Sequence, residues 1–143
     1  MEQLKTRLND ERVRGVVRSA DGQIVEFHRK GVVDLFCLLT QQPDMLRDAQ
    51  FADRVIGRGA ALLLVKGGVR EVYAHVMSQP ALQVLRDARI PASCATLQPH
   101  IVNRSGDGIC PVEQLTATTR SPQEAYQLIH QFLLDKSLIS NSF

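Results

Sequence analysis

Two β-rich runs, one carrying Val13, Val16 and Val17 and the other Ile24, Val25 and Phe27, flank the tripeptide Ala20-Asp21-Gly22. Asp-Gly tolerates positive φ, and a tight hairpin needs positive φ at its centre. The stretch therefore predicts an antiparallel hairpin near the start of the chain. Every later element then has to pack around a sheet that the hairpin begins.

The segments around the hairpin alternate helical and β-type periodicity at short spacing. Ahead of it, Glu2 to Asp10 reads as a polar helix with Leu4 and Leu8 one turn apart. After it, Gly31 to Thr40 is apolar nearly all round, the pattern of a buried helix. Pro43 punctuates, and Asp44 to Ala49 adds a turn. Asp53 to Lys66 reads as a second helix stopped by Gly67-Gly68. Val69 to Met77 predicts a strand, with Val72, Ala74 and Val76 on one face and Tyr73 and His75 on the other. Ser78 is placed to cap a helix over Pro80 to Ala88. Ser93 to Leu97, between Pro91 and Pro99, is a further strand, which His100 to Arg104 extend or follow with another. Ser105-Gly106-Asp107-Gly108 is a loop, and Cys110-Pro111-Val112-Glu113 has the form of a helix start. Ser121, Pro122 and Glu124 form a capping box ahead of Leu128, Ile129, Phe132 and Leu133 at helical spacing, giving a C-terminal helix of about 122–136. Strands alternating with helices after a hairpin predict one α/β domain over 1–143, a three-layer α/β/α sandwich with a mixed sheet.

Composition excludes several classes. At 143 residues, 44% of them hydrophobic and 22% charged, the chain can bury one core. Seventeen Lys and Arg against fifteen Asp and Glu leave a net charge of +2, too little for a nucleic-acid binder that relies on bulk charge. Aromatic residues are 5% with no Trp, which argues against a base-stacking platform. No apolar run approaches the roughly 18 residues of a membrane span. The start, MEQLKTRLNDER, lacks the apolar stretch of a secretory signal. Cys37, Cys94 and Cys110 are odd in number and far apart, so they form neither a disulfide framework nor a paired metal-ligand spacing. The expectation is a soluble, reduced, cytoplasmic domain without a membrane or nucleic-acid partner.

Two constellations carry chemistry. In Asp53-Arg54-Val55-Ile56-Gly57-Arg58-Gly59, two glycines at a helix start each cost about 1 kcal/mol relative to Ala. One reading is that they let a ligand approach free N–H groups at the helix N-terminus, with Arg54 and Arg58 adding charge. The other makes Asp53 an N-cap and the glycines a means of close packing. The second constellation gathers His100, Asn103, Arg104, Gly108 and Cys110 where a strand passes into a helix, a position that α/β folds use for ligands. Cys110 at a helix start is a candidate nucleophile with His100 as its base, set against an ordinary buried thiol. His28, His75 and His130 have no second metal ligand at helical or strand spacing, and Arg29-Lys30 reads as a solvated loop.

These residues carry a resemblance. Ala52 to Ala61, Gly67-Gly68-Val69 with Val72-Tyr73-Ala74, and His100 to Arg104 with Gly106, Gly108, Cys110, Pro111 and Glu113 together resemble a small prokaryotic family of unknown function with a cytidine deaminase-like fold. The resemblance implies a mixed sheet between helices. It also raises a question about zinc, because zinc deaminases need a His-x-Glu or Cys-x-Glu helix start and a Pro-Cys-x-x-Cys helix start. Here the corresponding stretches read Asp53-Arg54-Val55 and Ser78-Gln79-Pro80-Ala81-Leu82, without those ligands. The expectation is therefore a domain with no metal or other cofactor and no deaminase activity. Its pocket would take a nucleoside- or nucleotide-type molecule such as ADP-ribose on Asp53, Arg54, Gly57, Arg58, Gly59, His100, Asn103, Arg104, Gly108 and Cys110. The alternatives are an enzyme of another class with Cys110 or Asp53 as nucleophile, and a structural module that self-associates through its C-terminal helix.

Overall fold

The computed structural model describes residues 1–102, 106 and 108–141. Among them the chain forms α1 (Glu2–Arg7), β1 (Gly15–Arg18), β2 (Ile24–Phe27), α2 (Val33–Gln41), a 3-10 turn at Pro43–Met45, and β3 (Gln50–Ile56). There follow α3 (Arg58–Gly67), β4 (Glu71–Ser78), α4 (Gln79–Asp87), β5 (Ala92–Gln98), α5 (Pro111–Leu115) and α6 (Pro122–Asp135). The five strands make one mixed sheet in the order β2-β1-β3-β4-β5. β1 runs antiparallel to both β2 and β3, while β3, β4 and β5 are parallel. The hairpin forms as its turn chemistry requires: Gly22 sits at φ +92°, and Ser19 N–H donates to the Gln23 carbonyl at 2.9 Å.

One expectation is overturned. Asp53 to Lys66 is not a single helix with Asp53 at its cap. Residues 50–56 form the central strand β3, Gly57 is the N-cap, and only Arg58–Gly67 is helical. A strand inside the sheet, covered on both faces, loses the clean in–out alternation that betrays an edge or half-buried strand. Phe51 and Ala52, on opposite faces, are both fully buried, and Phe51 pairs with Val17 and Val72 while Ala52 pairs with Val16 and Tyr73. The polar pair Asp53-Arg54 then masks the rest of the strand. The C-terminal stop is as expected, with Gly68 left-handed at φ +75° and its N–H on the Leu64 and Val65 carbonyls.

Two apolar clusters lie on the two faces of the sheet. The larger joins Val17, Phe27, Phe51, Val72 and Ala74 to Phe36 and Leu39 of α2, Leu63 and Leu64 of α3, Leu85 of α4, and Ile129 and Leu133 of α6. The smaller joins Leu4 and Leu8 of α1, with Val13, to Val16 and Ala52. Burying each large apolar side chain contributes about 1.5–3 kcal/mol. The helices are fastened by their caps. Ser78 Oγ accepts from Ala81 N–H at 3.1 Å, and Ser121 Oγ accepts from Glu124 N–H at 3.2 Å, with Pro122 in the first turn. The Leu128–Leu133 stripe turns Ile129 and Leu133 onto the chain's own core. No helix is long and apolar enough to cross a membrane, among the described residues.

Candidate functional site

A cleft of about 230 Å³ opens where β3 ends and α3 begins. Five parts of the chain build it. Arg14 is the residue just before β1. Arg29, Lys30, Gly31, Val32 and Leu35 come from the β2–α2 connection and the first turn of α2. Asp53 and Val55 come from β3, and Gly57, Gly59 and Ala60 from the entry into α3. Ile101, Val102, Val112 and Glu113 close the remaining wall. The carboxyl end of a parallel strand is where open α/β sheets hold ligands.

Glu113 is the most deeply set polar group in the cleft, at 3% exposure. Its Oε2 accepts from Ile101 N–H at 2.7 Å, and its Oε1 from Arg58 N–H at 3.4 Å. Helix α3 has no capping side chain of its own, because its N-cap is Gly57. A carboxylate from far along the chain supplies that cap, where the helix dipole favours a negative charge. Gly57 makes the approach possible: a Cβ there would lie 3.0 Å from Glu113 Oε2. The helix start read from the sequence as an anion site is thus already held by the chain's own anion.

Asp53 is the second carboxylate. Its Oδ1 accepts from Arg54 N–H at 2.6 Å and Val55 N–H at 3.4 Å. Its Oδ2 lies against another glycine, since a Cβ on Gly15 would stand 3.2 Å from it. Burial pushes the Asp53 pKa up to about 7; the two amide hydrogen bonds and the charges of Arg14 and Arg54 pull downwards without offsetting the lost hydration.

The cations divide. Arg29 Nε pairs with Asp34 Oδ1 at 2.5 Å, and Asp34 Oδ2 also accepts from the His28 and Arg29 amides, which pins the loop that enters α2. Arg14 and Lys30 have no ion-pair partner among the described residues. Arg54 and Arg58, expected at the site, do not line the cleft. Arg54 donates to the Val13, Leu8 and Asp10 carbonyls at 2.8, 2.7 and 2.8 Å, tying β3 to the end of α1. Arg58 donates to the Thr116 carbonyl at 2.8 Å and to the Thr119 carbonyl, tying α3 to the turn before α6. Arg54→Ala is accordingly expected to destabilise the fold by about 2–3 kcal/mol, through carbonyls left without their charged donor. Urea denaturation measures that loss, and ligand affinity at the cleft should stay within about threefold of wild type.

Of the expected residues, the structure brings Asp53, Gly57 and Gly59 into the cleft. His100 is exposed and Gly108 half-buried, and neither lines it. Cys110 is half-buried at the N-cap of α5, with its N–H on the Ile101 carbonyl at 2.7 Å, and no hydrogen bond joins it to His100 among the described residues. Asn103 and Arg104 lie outside the described residues. Arg14, Arg29, Lys30 and Glu113 were not expected as ligand residues. A usable signal existed for two of them: adjacent bases directly before Gly31 stand at a strand-to-helix connection, the kind of position where ligands bind.

The sequence profile of the family described as "TM1506: Domain of unknown function (DUF1893)" matches residues 3–133. The chain belongs to that family. Its fold is similar to the crystal structure of a DUF1893 family protein, TM1506, from Thermotoga maritima, with a TM-score of 0.79 at 21% identity over 91% of this chain and 87% of that one. No curated protein matches the chain.

Proposed function

We propose that the cleft binds a small anionic ligand of the nucleoside or nucleotide type, within a deaminase-like fold that has given up the metal chemistry. The carrying observation is Arg14 and Lys30, without an ion-pair partner among the described residues, at a cleft floored by Val32, Leu35, Ala60 and Ile101, with Asp53 beside them. Phosphate suits Arg14, whose guanidinium offers paired donors, and the apolar floor suits a ring. Because Glu113 holds the start of α3, the phosphate belongs at Arg14 and Lys30 rather than at that helix. Cavities for drug-sized ligands run from about 300 Å³ upwards. A cleft of about 230 Å³ suits one nucleoside-sized portion, and ADP-ribose would extend beyond it.

The strand order β2-β1-β3-β4-β5, with a hairpin beside three parallel strands and helical packing on both faces, supports reading the architecture as a three-layer, cytidine deaminase-like fold. The donor set does not fit the zinc that such a fold implies. α3 starts Gly57-Arg58-Gly59. α4 starts after Ser78, whose hydroxyl is occupied in capping Ala81. No three His, Cys, Asp or Glu side chains are placed to hold a metal, among the described residues.

Isothermal titration with AMP, ADP, ADP-ribose and cytidine tests the reading. At least one phosphorylated compound should bind wild type, and Arg14→Ala should weaken it about tenfold or more. If wild type binds none of the four at millimolar concentration, or if Arg14→Ala and Lys30→Ala bind as wild type does, the proposal falls.

A further inference from the structure

The two edges of the sheet are built differently. β2 is four residues long, and its Glu26 is ion-paired with Arg7 at 3.0 Å. Short length and charge are the usual devices by which an edge strand avoids pairing with another chain. β5 has neither. It is seven residues long, Ala92-Ser93-Cys94-Ala95-Thr96-Leu97-Gln98, with no charge, and Pro91 and Pro99 lie only outside its ends. Its pairing with β4 keeps one register throughout, so no bulge twists the edge away. Its outer main chain has no hydrogen-bond partner among the described residues. Strands in parallel sheets are ordinarily covered on both faces, yet Ser93, Ala95, Thr96 and Leu97 are all exposed, Leu97 at 44%.

We propose that β5 is a subunit interface, where two copies of this chain pair antiparallel about a two-fold axis at Ala95 and join their sheets into one. The chemistry of the edge favours this occupant. It calls for an uncharged extended strand of matching length, and β5 itself is one. Centred on Ala95, the pairing sets Ala95 opposite the partner's Ala95, Ser93 opposite the partner's Leu97, and Cys94 opposite the partner's Thr96. Small or uncharged side chains then face each other at every step, and no like charges meet. Pairing of β5 with the partner's β2 is head-to-tail and leaves one unprotected β5 free to add further copies, whereas the two-fold arrangement uses both β5 edges and leaves only the short, charged β2 edges outside.

Native mass spectrometry and light scattering at micromolar concentration test this. Wild type should be a dimer. Ala95→Lys places two like charges on the axis at an exposed position, and should raise the dimer dissociation constant at least about a hundredfold while circular dichroism shows a monomer that is still folded, with Tm falling only by what loss of the dimer accounts for. Ala95→Glu should behave likewise, and an equimolar mixture of the two variants should recover the dimer. A wild type that stays monomeric overturns the proposal and leaves β5 open to a strand from another protein. A dimer that survives Ala95→Lys overturns it too and places the contact elsewhere.

Discussion

Gly59→Ala is expected to cost this chain about 2–3 kcal/mol, with Tm falling by about 5–10 °C. The sign runs against helix propensity, because Ala in a helix is favoured over Gly by about 1 kcal/mol. Packing outweighs that gain. A Cβ on Gly59 would stand 2.5 Å from Val112 Cγ1, 3.3 Å from Ile129 Cδ1 and 3.4 Å from Thr116 Oγ1. Two of these neighbours sit on the helices α5 and α6 and the third just past the end of α5, so the added methyl drives the C-terminal elements off α3. Val112 precedes Glu113, so the cap on α3 and one wall of the cleft shift with them. A double-mutant cycle isolates the cause. Val112→Ala removes the nearest methyl, so Gly59→Ala in that background should cost at least about 1 kcal/mol less than in wild type. Equal costs in both backgrounds would show that the close approach to Val112 is not what requires glycine.

The same residue shows what could be read from the sequence. Two glycines at a helix start were rightly a signal of close approach, but the approaching group is protein at both. Val112 comes against Gly59, and the Glu113 carboxylate against Gly57. That identity depends on a contact between positions more than 50 residues apart, which no local pattern carries. Local chemistry was legible wherever a local bond decides the structure: the Asp-Gly turn, the Ser78 and Ser121 caps and the Gly68 stop all form as their residues demand. β3 was not legible, because Phe51 and Ala52 are buried on opposite faces, which erases the alternation by which strands are recognised, and the polar pair Asp53-Arg54 follows them. Arg54 and Arg58 misled for a related reason. Their charge suggested a ligand, but both long side chains reach backbone carbonyls of segments distant in sequence. The charges left facing the cleft, Arg14 and Lys30, looked ordinary in sequence because their role depends on which strand and loop end beside β3.

Asp53 leads to the second large effect, a stability that declines as pH rises. The carboxyl titrates near 7 in the fold, well above its unfolded value of about 4, because enclosure beside the cleft penalises its charge more than its amide donors and Arg14 reward it. The folded state therefore binds more protons than the unfolded state between about pH 4 and pH 7, and stability must fall with rising pH across that window. The contribution is fully present below the unfolded pKa and lost once the pH passes the folded one. Asp53→Asn keeps an oxygen for the Arg54 and Val55 amides but carries no charge at any pH. Relative to wild type it should gain stability steadily from pH 4 to pH 7 and level off above, by a total on the order of 2–4 kcal/mol. Urea denaturation of both proteins at a series of pH values measures the difference. A constant difference across the range would mean that Asp53 ionises normally in the fold. The titration also reaches the proposed ligand: an anion seated on Arg14 shares its surroundings with this carboxyl, so nucleotide affinity should weaken as Asp53 ionises through pH 7. Asp53→Asn should flatten that dependence, whereas Arg14→Ala should lower affinity at every pH.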